Sequence, residues 1–185
     1  MVPRAGTQAV TSVFVPAVPS LAELVPHSGL LSAEELEAIA AAIAERPTLW
    51  EPLVRVDSGH RRYELLYEDG RMDAWVLSWM PGQGTGFHDH AISAVGICCV
   101  QGSVREALLR ADEPPNVREV EHEVRVGDRR RGGPGYIHRV RHGDGEPAVT
   151  IHVYSPRLDE VGQYRVDEHG IMRRETAPGR VELTP

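Results

Sequence analysis

The chain has 185 residues, 27 acidic and 20 basic side chains, a net charge of −7 and an apolar share of 41%. That size and balance suit one domain with a substantial core. The acidic surplus argues against nucleic acid or an anionic membrane as a partner, and no run approaches the roughly 20 apolar residues of a membrane span. All the basic residues are arginine. Cys98 and Cys99 are adjacent, so a bridge between them is disfavoured and a reducing, cytoplasmic setting is expected.

Residues 1–20 lack the charged start and continuous apolar run of a secretion signal and read as a flexible arm. Residues 21–185 read as a single domain. Leu21–Val25 carries a short helical signal, and Ser32–Glu45 a stronger one. There Ser32 and Glu35 have capping-box spacing, Leu36, Ile39, Ala40 and Ile43 form an apolar stripe, and Pro47 ends the helix. After Trp50 the pattern changes to short alternating runs: Arg62–Tyr67, Arg71–Trp79, Ala94–Gln101, Ser103–Arg110, Val117–Val126 and Ala148–Tyr154. Many short strands between turn residues predict an all-β fold, an antiparallel sandwich or barrel preceded by short α-helices. The run Arg129-Arg130-Arg131 reads as a solvated turn or edge strand.

His88-Asp89-His90 is the most informative segment. Histidines at i and i+2 on a strand share one face, and His138, about fifty residues on, would complete a set. Three neutral imidazoles suit a first-row divalent metal and leave about half of its coordination sphere open. The spacing Gly82-x5-His88-x-His90-x4-Val95-x6-Gly102 follows the first cupin motif except at Val95, where that motif has glutamate. Gly127-x5-Gly133-x-Gly135-x2-His138-x3-His142 follows the second, with Gly133 for proline and His142 for asparagine. The pair resembles a small jelly-roll cupin barrel with its core at about residues 62–156. Without a carboxylate ligand, such a centre keeps its full charge and adjacent open positions for a thiolate and dioxygen, and it lowers the thiol's pKa.

Thr150, His152 and Tyr154 lie at i, i+2 and i+4 and so share a strand face, with Ile151 and Val153 on the other. With Phe87-His88-Asp89-His90, Ile137-His138-Arg139-Val140 and Tyr154-Ser155-Pro156, this segment makes the chain resemble the cysteine dioxygenase family of thiol dioxygenases. The resemblance implies Fe(II) on His88, His90 and His138. It implies a polar relay of Thr150, His152 and Tyr154 beside the metal, and oxidation of a small thiol to its sulfinate by O2.

Two departures matter. Mammalian members carry a cysteine where Val95 stands and crosslink it to the tyrosine, so no Cys–Tyr crosslink is expected here. Cysteine-specific members also carry a carboxylate-gripping arginine in a Tyr-x-Arg-Asn segment. Aligning it with Arg61–Tyr67 puts Tyr63 at that position and Arg62 on the opposite face. A thiol such as 3-mercaptopropionate or the betaine ergothioneine then competes with cysteine, with Tyr63 and Trp75 or Trp79 offering cation–π contact. The expected substrate-side residues are Tyr63, Arg62, Trp75 and Val95. The expected partners are a small thiol and O2, without nucleic acid or membrane, in a monomer or small homo-oligomer. The competing readings are a three-histidine cupin dioxygenase that cleaves a carbon–carbon bond and a metal-binding cupin module without turnover. The Thr-x-His-x-Tyr-Ser-Pro segment favours the thiol enzymes.

Overall fold

Ser32 opens the first helix as the spacing predicts. Its hydroxyl accepts from the Glu35 backbone N–H while the Glu35 carboxylate accepts from the Ser32 N–H, so two orphan donors are satisfied at once. In this computed structural model, residues 19–27, 29–111, 117–166 and 172–179 are described; most of the arm expected over residues 1–20 lies outside them. The Leu21–Val25 signal becomes a 3-10 helix over Pro19–Leu24. Helix α1 spans Ala33–Ala44, and α2 (Pro47–Trp50) follows with proline in its first turn. No helix among the described residues is long and apolar enough to cross a membrane.

Eleven strands follow among the described residues: β1 (Arg62–Glu68), β2 (Asp73–Trp79), β3 (His88–Asp89), β4 (Ala94–Gln101), β5 (Ser103–Ala111), β6 (Val117–Arg125), β7 (Arg129–Gly132), β8 (His138–His142), β9 (Ala148–Ser155), β10 (Glu160–Val166) and β11 (Met172–Pro178). One sheet has the order β1-β2-β9-β4-β7 and the other β11-β10-β3-β8-β5-β6, with antiparallel pairing in both. The two sheets form the cupin barrel. The six-stranded sheet extends past Pro156, where the barrel core was expected to end, because β10 and β11 continue it.

Strands β2 and β9 at the middle of the first sheet are buried along their whole length, so the polar side chains of β9 need partners inside the protein. On the sheet's outer face Ala74, Val76, Cys98, Ile151 and Val153 pack against Leu36, Ile39 and Ile43 of α1. On its inner face Trp75, Leu77, Trp79, Val95, Ile97 and Tyr154 meet Val104, Val124, Val140 and Val161 of the second sheet. Gly96 permits the close approach of α1, since a Cβ there would collide with the Leu36–Glu37 backbone. The alternation along β9 therefore turns Thr150, His152 and Tyr154 into the barrel and their neighbours toward the helix.

Candidate metal centre

Strand β3 is only two residues long, but it carries the essential geometry. His88 lies directly across from His138 of β8 in the register, and His90 follows one residue beyond the strand. The three rings are buried, with centroids 4.6 Å (His88–His138), 5.2 Å (His88–His90) and 5.0 Å (His90–His138) apart. One ring nitrogen from each lies within 4.8 Å of the other two.

The outer nitrogens define which atoms face inward. His88 Nδ1–H donates to the Gly86 carbonyl at 3.0 Å, and His138 Nδ1–H donates to Glu106 Oε1 at 2.8 Å. Each bond places the proton on Nδ1 and leaves Nε2 as the lone-pair atom. His138 Nε2 is 3.3 Å from His90 Nε2. Neutral imidazoles with convergent lone pairs and a carboxylate behind one of them fit a first-row divalent ion.

Glu106 is fully buried on β5. Besides His138 it accepts the Tyr136 hydroxyl at 2.8 Å, and Arg130 Nε lies 3.3 Å from its second oxygen. Burial pushes this carboxyl up, but the hydrogen bonds from His138 and Tyr136 and the charge of Arg130 hold it below the usual glutamate range. Arg130 therefore departs from the solvated reading of its run: the β7 register turns it inward toward Glu106, while Arg131 pairs with Glu37 of α1.

On β9, Trp79 Nε1–H donates to Thr150 Oγ1 at 2.8 Å, Thr150 Oγ1 lies 3.0 Å from His152 Nε2, and His152 Nδ1 lies 3.0 Å from the Tyr154 hydroxyl. Indole can only donate. Thr150 Oγ1 therefore accepts from Trp79, and the two ring nitrogens of His152 bridge the Thr150 and Tyr154 hydroxyls. The Tyr154 ring meets His90 edge-on at 5.1 Å, so this relay ends beside the histidine cluster.

The substrate-side residues separate by face. Tyr63 is half-buried and packs edge-on against Trp75 at 5.9 Å. Val95 is fully buried and pairs in register with Tyr154. Arg62 is exposed, whereas Arg61 is buried with its guanidinium carbon 4.7 Å from the Trp79 ring centre. The arginine on the inner face is thus Arg61. His142, two inward positions along β8 from His138, bonds the Glu146 carbonyl at 2.9 Å and stands outside the cluster. Cys98 and Cys99 are buried free thiols; burial raises both and pushes Cys99 up to about 12.

Glu106, Arg130, Tyr136 and Arg61 were not singled out from the sequence. For Glu106 a signal exists: it stands between Val104 and Leu108 at an inward position of β5, where a carboxylate needs a buried partner.

The family model for cysteine dioxygenase type I matches residues 4–167. Human cysteine dioxygenase type 1 is 30% identical over 137 residues, covering 70% of this chain and 68% of that protein. The Bos taurus enzyme is 27% identical over 137 residues, with the same coverage. A solved protein from Klebsiella pneumoniae with a double-stranded β-helix domain is similar at 17% identity and a TM-score of 0.44, covering 80% of this chain and 96% of that one. With a match across most of its length and a buried three-histidine cluster at the family's motif, this chain belongs to the cysteine dioxygenase type I family.

Proposed function

We propose that this cupin thiol dioxygenase holds iron(II) on His88, His90 and His138 and converts a small carboxylate-bearing thiol to its sulfinate, RS⁻ + O2 → RSO2⁻. The observation that carries the reading is the convergence of one ring nitrogen from each of the three buried histidines, with the His90 ring against Tyr154. Bound there, iron(II) would supply adjacent positions for thiolate and dioxygen and the means to pass electrons between them. The chain's own residues do the rest. Glu106 and Gly86 orient the imidazoles. Tyr154, its hydroxyl held by His152 and Thr150, positions and exchanges a proton next to the reacting sulfur.

Arg61 supports the substrate class. A guanidinium stacked on Trp79 inside the barrel offers a fork for a carboxylate. Tyr63 and Trp75, on the same inner face, offer aromatic surface to an amino or quaternary ammonium group. Cysteine and 3-mercaptopropionate satisfy the first contact, and ergothioneine offers both groups. Two buried reduced cysteines accord with a cytoplasmic setting.

The experiment is oxygen uptake by iron(II)-loaded protein with cysteine, cysteamine, 3-mercaptopropionate and ergothioneine. The reading predicts uptake with one or more carboxylate-bearing thiols and little with cysteamine. Equal or greater uptake with cysteamine would remove Arg61 as a substrate anchor. No uptake with any thiol, despite bound iron, would favour a metal-binding module.

A further inference from the structure

Strand β11 is exposed along most of its length and forms the outer edge of the six-stranded sheet. One of its side chains nevertheless turns inward. Arg174 reaches to Asp89, the residue between His88 and His90, donating from Nε to Oδ2 at 2.7 Å and from Nη2 to Oδ1 at 2.8 Å. This is a two-pronged fork on a buried carboxylate.

The surroundings are built for that fork. Tyr164, opposite Arg174 in the register, donates its hydroxyl to Oδ2 at 2.6 Å. The backbone N–H groups of Gly162 and Ala91 donate to Oδ1 at 3.2 and 2.9 Å. Position 162 is glycine where any Cβ would collide with the Arg174 guanidinium. Asp89 thus takes bonds from β10, from β11 and from the residue after His90.

Backbone pairing constrains the ligand segment only lightly. Strand β3 makes one register pair with β8 and two with β10, and Ala91, just past His90, sits at φ 51°, a conformation that L side chains rarely adopt. The Ser93 N–H closes that turn on the His90 carbonyl at 2.8 Å, and Asp89 is the one side chain between the two histidines.

We infer that Arg174 is a positioning residue of the metal centre, setting His88 and His90 through its fork on Asp89. The inference rests on the proposed role of His88, His90 and His138 as metal ligands. Arg174 lies on β11, beyond residue 167, where the family match ends.

The test measures Co(II) affinity by competition with a chromophoric chelator and records the Co(II) visible spectrum, with the thermal midpoint of the metal-free protein as a fold control. Full-length wild type, H138A, R174M, R174K and Y164F are compared. Loss of an outer partner of a metal ligand costs about tenfold to a hundredfold in affinity. Arg174 acts on the histidines through Asp89, so R174M is expected to lose affinity by up to about tenfold, the lower end of that range, with shifted cobalt bands, and R174K to recover part of the loss, since an ammonium restores the charge but not the fork. Y164F keeps the ion pair and is expected to move the same way by a smaller factor, which tests the idea even if R174M fails to fold. If wild type binds no Co(II), or H138A binds it as tightly as wild type, the ligand reading fails and the inference with it. If H138A binds weakly while folded R174M and Y164F match wild type in affinity and spectrum, the inference alone fails and Arg174 merely clips the hairpin.

Discussion

The carboxylate of Glu106 accepts a 2.8 Å hydrogen bond from Nδ1 of His138 at a point where both side chains are sealed from solvent. The bond fixes the ring, assigns its proton and strengthens Nε2 as a donor atom. Glu106→Gln keeps the shape but removes the charge. It is expected to weaken Co(II) or Fe(II) binding by about tenfold to a hundredfold, measured by chelator competition. Tyr136→Phe removes one bond to the same carboxylate and is expected to cost about 1 kcal/mol of stability in urea unfolding. Unchanged metal affinity in Glu106→Gln would show that the pair serves the fold alone.

Arg61 and Arg62 are neighbours with opposite fates, one buried against Trp79 and the other exposed. Arg61→Met is expected to raise KM for 3-mercaptopropionate by about tenfold or more, the scale of a charge-assisted hydrogen bond of about 1.5–3 kcal/mol. Cysteamine, which lacks the carboxylate, should show no such change. Arg62→Met is expected to leave KM as in wild type. Steady-state oxygen uptake reads all three, and the reverse ranking would return the anchoring role to Arg62.

Tyr154 takes its place at the end of the Trp79–Thr150–His152 series. Tyr154→Phe keeps the ring against His90 and deletes the proton. General acid–base groups contribute about 10²–10⁴-fold, so kcat is expected to fall within that range while metal content stays at the wild-type level. Thr150→Ala is expected to lower kcat less, since Thr150 acts on Tyr154 only through His152. A Tyr154→Phe enzyme with wild-type kcat would take the hydroxyl out of the chemistry.

Asp73, buried at the start of β2 opposite Tyr154, makes stability depend on pH. Desolvation raises its carboxyl to about 6, against hydrogen bonds from Trp75 and the Leu158 backbone N–H. An acid whose folded pKa is raised contributes most below its unfolded value of 3.8 and loses that contribution as pH rises through about 6. The gap of roughly two pH units corresponds to about 3 kcal/mol. The difference in unfolding free energy between wild type and Asp73→Asn is therefore expected to shift against wild type by up to that amount from pH 3.5 to 6.5, and then level off. Urea titrations across that range check it; a flat difference would mean that Asp73 ionises as freely in the fold as in the open chain.

Much of the centre was legible because metal ligation imposes spacing. His88 and His90 must share a face, and His138 must reach them from another strand, so the glycine-framed motifs carry the cluster into the sequence. The Ser32–Glu35 box and the Thr150, His152 and Tyr154 face were legible for the same local reason. Arg61 was not, because facing on β1 is set by pairing with β2. Tyr63 sits across from inward Leu77, and an irregularity between Leu65 and Tyr67 shifts the alternation, so the run itself does not give the phase. Arg130 and Arg174 were hidden because their partners, Glu106 and Asp89, are distant in sequence. Strand β11 shows no alternation because its residues are nearly all exposed.

Entry of both atoms of one dioxygen into the thiol's sulfur is read out by turnover of iron(II)-loaded protein under isotopically heavy dioxygen, with mass analysis of the product. The expected product is a sulfinate carrying two heavy oxygen atoms, formed in equal amount to the dioxygen consumed. A product with one heavy atom and one from water, or a disulfide formed with no oxygen incorporated, would contradict the proposed reaction.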